Sequence, residues 1–196
     1  SDVVQSANVT EQLLQVVEDV VQGRCETYLH KDDEEGIKAL VDWVNVMFPI
    51  GLRREDLPAS EVTAEAAGAL IMDRVRKAYE LKAQHEDPEQ LKPMERFVML
   101  QAIDTQWQEY LRSMDALRQG VGLRAYGQRD PLVEYKREAF TMFSDLMEKI
   151  KEEISSRMFR SATSVNALRG FMGAIRQRYV HEQASALGAA PADAPE

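Results

Sequence analysis

This chain of 196 residues lacks the strand-like alternation of Val, Ile and Thr, and it has only ten glycines and seven prolines. A sheet protein needs period-two patterning and frequent turn residues, so helices must carry the fold. The expectation is an all-α protein. Its single cysteine, Cys25, excludes an internal disulfide and a cysteine-based zinc cluster. On a helix face it reads as packing rather than as a nucleophile. No apolar run approaches the ~20 residues of a membrane span, and no signal peptide is recognisable. A net charge of −9 excludes a general nucleic-acid binder, which needs a basic face to release counterions. These absences predict a soluble chain from a reducing compartment. The start at Ser1, without methionine, points to a piece of something longer.

Catalytic signatures are also missing. No G-x-x-x-x-G-K-[ST] loop occurs to cradle a nucleotide, and no G-x-S-x-G elbow to present a nucleophile. His30, His85 and His181 lie far apart, none paired with a second histidine or a cysteine at ligand spacing. Asp104 with Glu109, or Asp115 with Glu138, could be imagined as acid and base. Charged positions on long helices are more often solvated faces or ion pairs. No metal and no enzymatic activity are expected of this chain.

What is present is helical periodicity in three blocks. Val9, Leu13, Val16, Val17, Val20 and Val21 recur at helical spacing within residues 9–29, with Asn8 or Thr10 as N-cap. The apolar side is wide and needs a partner. A second block, residues 30–92, opens on Asp32-Asp33-Glu34-Glu35, acids suited to a helix N-terminus. Ile37, Leu40, Val41, Val44 and Phe48 follow as a stripe with Trp43 beside it, until Pro49-Ile50-Gly51 breaks the helix. After a connector at 53–58, Ser60 or Thr63 can cap a helix bearing Ala67, Leu70, Ile71, Val75, Ala78 and Tyr79. Asp87-Pro88 and Lys92-Pro93 mark the exit of a small inserted subdomain.

The third block returns to long helices. Phe97, Leu100, Ile103, Trp107, Leu111, Met114 and Leu117 repeat every three or four residues, and Phe140, Phe143, Met147, Ile150 and Ile154 do the same. Their short connection makes an antiparallel hairpin the natural solution. Trp107 lies on the stripe, where truncation to alanine costs ~3–5 kcal/mol if it is buried. Met99, Met114, Met142 and Met147 read as core filling rather than as an adaptable peptide groove. Gly120 and Gly122 weaken the first helix as it ends, while Asp130 can cap the second with Pro131 at its first position. The 13-residue connection from Gln119 to Pro131 is longer than a helix turn requires. Leu123 and Tyr126 at its apex either stand exposed or fold back as a plug, and physical reasoning alone rates the two equally.

The residues of this hairpin match something known. Asp104-x-x-Trp107 with Leu111, then Met114-Asp115-x-Leu117-Arg118-Gln119-Gly120-Val121-x-Leu123-Arg124-x-Tyr126-x-Gln128-x-Asp130-Pro131-x-x-Glu134-Tyr135-Lys136-x-Glu138, resembles the helical scaffold segment of SecA, the bacterial preprotein translocase motor. The resemblance is dense over residues 94–153 and weaker, though in the expected order, over residues 1–92. It implies that residues 1–30 end a long scaffold helix, 31–92 form a helical wing domain and 93–160 form a two-helix finger. Such a finger reaches toward the SecY channel, touches the moving polypeptide at its tip and regulates the motor ATPase. Tyr126 falls at the family's fingertip tyrosine, which favours the exposed reading, with Leu123, Arg124 and Gln128 beside it. Trp107, Leu111, Gly120, Asp130 and Pro131 would build the hairpin.

The implied partners are the SecY channel complex, unfolded preprotein and the SecA motor domains in cis. The implied setting is the bacterial cytoplasm, at the inner membrane surface. ATP and Mg would belong to the parent's motor domains, and none to this chain. Two departures stand out: Tyr110 replaces the family's usual histidine, and Ala125 and Gly127 exchange the usual order of glycine and alanine around the tip. Glycine tolerates positive φ and alanine does not, so the flexible point moves to the other side of Tyr126. A stand-alone adaptor whose hairpin binds a partner helix is the alternative function.

Residues 161–196 lie outside the resemblance. Val165, Leu168, Met172, Ile175 and Tyr179 predict a short amphipathic helix capped by Ser164. From Ile154 onward five arginines face only Glu182, Asp193 and Glu196, so residues 1–153 carry −11 of the net −9. With Arg169 and Arg176 flanking its face, this helix could dock on the scaffold or, as the lesser alternative, lie on an anionic membrane surface. Beyond Ala184 a solvated linker is expected.

Overall fold

A computed structural model describes residues 2–30, 34–58, 62–123 and 130–188. Every regular element among these residues is a helix, with no strand. Two compact units emerge, one formed by Ser1–Gly23 and Lys92–Arg160, the other by Arg24–Leu91 and Ser161–Glu196.

The helices start where local chemistry dictates. Helix α1, Asp2–Tyr28, is followed by α2, Glu34–Met47, whose first turn carries Glu34 and Glu35 beside the exposed N–H groups. After a 3₁₀ turn at Arg54–Asp56, helix α3, Ala64–His85, begins at Thr63, whose side chain accepts from the Ala66 amide at 3.2 Å. Helix α4, Pro88–Leu123, and helix α5, Pro131–Arg157, share one starting device. The Asp87 carboxylate accepts from the Glu89 amide and that of Asp130 from the Leu132 amide, each at 2.9 Å, with proline next in both cases. Helix α6, Val165–Gly188, starts at Ser164, whose hydroxyl accepts from the Ala167 amide at 3.1 Å.

In the first unit, Val9, Leu13, Leu14, Val17, Val20 and Val21 are buried along α1, and Val98, Ala102, Leu117, Leu146 and Ile154 along α4 and α5. Thr10 does not cap a helix, because α1 already starts at Asp2. Its hydroxyl donates instead to the fully buried carboxylate of Glu95, 2.9 and 2.8 Å from the two oxygens. The ammonium of Lys151 reaches Asp19 at 3.4 Å, so α1 is tied to both long helices.

Three expectations for α4 fail here. The helix runs through Pro93, which therefore marks no boundary and leaves one helical hydrogen bond unmade. It also continues past Gly120 to Leu123, so the connection to α5 is shorter than the glycines suggest. Most consequentially, the stripe through Phe97, Leu100, Ile103, Trp107 and Leu111 is not the buried one. These side chains are 40–61 % exposed, and Phe140, Phe143 and Met147 on α5 are 42–76 % exposed. The buried side of α4 runs through Glu95, Val98 and Ala102, the side on which Glu95 meets Thr10. Helical periodicity supports either stripe, and the long-range pairing with α1 selects the less apolar one. Met99, Met114 and Met142 are only half-buried, while Met72 and Met158 are the methionines in the core.

In the second unit, α3 and α6 pack together, so α6 docks on protein. Its buried side is Ala167, Phe171 and Ile175, whereas Val165 and Met172 of the expected stripe are exposed. The small Ala167 shifts the face by part of a turn. Gly51 adopts φ +55°, and a Cβ there would lie 2.3 Å from the Tyr179 ring. Only glycine fits that turn beneath α6. The Asn45 amide clamps the same turn, bonding the Leu52 carbonyl and N–H at 2.8 Å each. Lys82 and Glu86 pair within the core, and Glu86 accepts from the Thr163 N–H and hydroxyl at 2.7 and 2.6 Å. That carboxylate staples the end of α3 to the start of α6.

Candidate functional site

The two long helices α4 and α5 are 36 and 27 residues, about 54 and 40 Å at 1.5 Å per residue. Only residues 124–130 separate them. The expected tip residues Arg124, Tyr126 and Gln128 lie outside the described residues. Leu123 is the last residue of α4, and its side chain also lies outside them. The residues expected to build the hairpin are placed. Asp130 and Pro131 start α5, Gly120 sits inside α4 with open space where a Cβ would be, and Trp107 and Leu111 are 45 % and 48 % exposed.

The Tyr110 ring meets the opposite helix. It lies 6.2 Å from Phe143 on α5, edge to face, and 5.5 Å from Trp107 on its own helix. A cavity of about 110 Å³ lies beside it, lined by Gln106, Ser113, Leu146 and Lys149 among others. Sequence reasoning singled out this position only as a departure from a family pattern. It stands three residues after Trp107 and four before Met114, a helical spacing that could have found it.

The imagined carboxylate pairs have plainer partners. Glu109 pairs with Arg112 at 2.9 Å and Asp115 with Arg118 at 3.7 Å, both three residues apart along α4. Pairs of this kind support an exposed helix by a few tenths of a kcal/mol. Cys25 is buried, and desolvation, helped by neighbouring Glu26, pushes its thiol up to about 12. Without thiolate at neutral pH it is packing, as its place on α1 suggested. His30 and His85 each bond a backbone carbonyl of their own helix end through Nδ1, at 2.8 and 2.9 Å. No group of His, Cys, Asp and Glu suited to a metal ion occurs among the described residues.

In the second unit the charged groups are more organised. Asp56, at the end of the 3₁₀ turn, accepts from Arg74 at 2.8 Å and from the Arg53 N–H and guanidinium at 2.9 and 3.3 Å. Burial raises its carboxyl, but these hydrogen bonds outweigh burial and hold it at about 2. Nothing in the sequence foretold this arrangement, which spans residues 18 apart and depends on the turn between them.

Long paired helices, a ring contact between them and an inserted stapled unit define an all-α scaffold-type domain. Among the described residues no helix is long and apolar enough to cross a membrane. The family model of the SecA Wing and Scaffold domain matches residues 1–162, and the chain belongs to that family. Its relatives include protein translocase subunit SecA from Thermodesulfovibrio yellowstonii, 30 % identical over 159 residues, which cover 81 % of this chain and 17 % of the relative. The SecA of Crocosphaera subtropica is 35 % identical over 167 residues, 81 % of this chain and 18 % of its own length. That of a Synechococcus species reaches 45 % over 111 residues, 54 % of this chain and 12 % of the relative. The chain thus spans less than a fifth of the length of these curated relatives.

Proposed function

We propose that this chain is the non-catalytic scaffold and wing portion of a protein-export motor, and that α4, the connection and α5 act as a two-helix finger. In this reading residues 1–30 end a scaffold helix, 31–92 are the wing, 93–160 the finger and 161–196 an amphipathic helix with a linker. The finger contacts a SecY-type channel and the translocating polypeptide through Tyr126, flanked by Leu123, Arg124 and Gln128. It also restrains the ATPase of motor domains joined in cis, which would hold ATP and Mg. The work is done at the cytoplasmic face of the inner membrane.

The observation that carries the reading is the family match over residues 1–162, together with two long helices that bracket a connection centred near Tyr126. Stiff helices suit the transmission of a motion over ~40–50 Å, which a flexible loop would absorb. The test is a single cysteine at Tyr126 in the complete motor, crosslinked to a stalled translocating chain. A cysteine at Arg137, two turns into α5, should crosslink far less, and equal crosslinking at both positions refutes a special role for the tip.

A further inference from the structure

The second unit contains a partly open cavity of about 350 Å³ bounded by Pro49 and Ile50, the 3₁₀ turn, α3 and α6. Its volume falls within the range of small-molecule sites, ~300–1,000 Å³. Four cationic side chains line it, Arg53, Arg74, Lys77 and Arg178, against two acids, Asp56 and Asp73. In a chain of net charge −9 this is a local reversal of sign. Apolar surface from Ile50, Leu70 and Tyr179 forms the rest of the lining. We propose that this cavity binds a small organic oxyanion, a phosphate or carboxylate carried on a compact apolar body.

The walls are built before any ligand arrives. Asn45 clamps the turn through Leu52, Gly51 fits under the Tyr179 ring, and Asp56 holds the guanidinium groups of Arg53 and Arg74 side by side. A guanidinium presents its N–H donors in a planar fork suited to oxyanions. Asp56 thus fixes the Arg53 and Arg74 guanidinium groups in place, as Asp73 does the Lys77 ammonium at 2.7 Å, and such preorganisation lowers the cost of binding. The adjoining open groove between α3 and α6 shares Lys77 and Arg178 but adds Glu80, so the attraction is strongest within the cavity itself.

The test is a titration of the full chain, followed by amide NMR at constant ionic strength, with phenyl phosphate, benzoate and inorganic phosphate. Ile50, Arg53, Leu70 and Tyr179 should shift on one saturating curve with phenyl phosphate or benzoate, and the tighter of the two identifies the head group. Inorganic phosphate, lacking the apolar body, should bind about 10-fold more weakly, the value of roughly one or two buried CH₂ groups. Arg53 and Lys77 side chains are more than half exposed, so the R53Q/K77Q variant should fold normally yet bind phenyl phosphate at least about 10-fold more weakly. Unchanged binding in that variant, an absence of shifts at these four residues, or equal shifts around Arg112 and Arg137 on the other unit would overturn the proposal. Equal affinity for inorganic phosphate would overturn the apolar part of it.

Discussion

Replacing Gly51 with alanine should be among the most damaging single-methyl additions this chain can suffer. The backbone there holds φ +55°, which costs a non-glycine residue ~1–2 kcal/mol. The new Cβ would also sit 2.3 Å from Cε1, 2.8 Å from Cζ and 3.0 Å from the hydroxyl oxygen of Tyr179. Relieving such an overlap means moving the ring or lifting α6, an overpacking cost of ~1–3 kcal/mol. Together the change should destabilise the second unit by ~2–5 kcal/mol. Urea denaturation followed by circular dichroism measures it, and a mutant cycle divides it. In a Tyr179→Ala background the steric part disappears, so G51A should then cost only ~1–2 kcal/mol. Gly173→Ala is the control: its Cβ meets nothing within 4 Å, so inside α6 it should stabilise by up to ~1 kcal/mol. A cost below ~0.5 kcal/mol for G51A, or the same cost with and without the Tyr179 ring, would refute the reasoning.

Trp107→Ala should cost only ~1–2 kcal/mol rather than the ~3–5 expected of a buried tryptophan, because the side chain is 45 % exposed. Phe171→Ala, at 1 % exposure, should cost the full ~3–5 in the same denaturation assay. Stability should also fall in acid. The Asp56 carboxyl is held at about 2 against its ordinary 3.8, so protonation favours the unfolded chain. Its contribution is complete above pH ~4 and lost as pH drops toward ~2, up to ~2 kcal/mol in all. Glu86 is lowered as well: burial raises its carboxyl, but Lys82 and Thr163 outweigh it, so it acts in the same direction. Denaturation midpoints between pH 5 and 2 should therefore decline, less steeply in Asp56→Asn, and a parallel decline in that variant would count against the Asp56 account.

Helix existence and helix starts were largely legible from the sequence because they rest on contacts within one turn. Thr63, Asp130 and Ser164 each bond an amide two or three residues ahead from expected cap positions, and Asp87, expected only to mark the exit of the inserted block, caps α4 in the same way. The buried stripe of α1 was legible for a similar reason, since valines and leucines crowd one side and leave no rival face. On α4 two faces compete. The decision falls to Glu95 and Thr10, 85 residues apart, and no local pattern carries that information. The same limit hid the cavity beside Asp56, whose basic side chains come from α6, α3 and a turn that are scattered along the chain. The proposed role of Tyr126 rests on a motif rather than on geometry, for that residue lies outside the described residues.

The two indoles of the chain fall one in each compact unit. Trp43 is half-buried, with Phe48 edge-on at 5.9 Å and the Arg24 guanidinium 5.8 Å from its ring, whereas Trp107 stands half in solvent beside Tyr110. The protein is therefore its own two-channel optical gauge. Trp107→Phe leaves emission from the second unit alone, and Trp43→Phe leaves emission from α4 in the first. Unlabelled chain can then show whether one unit melts, binds or moves while the other stays still.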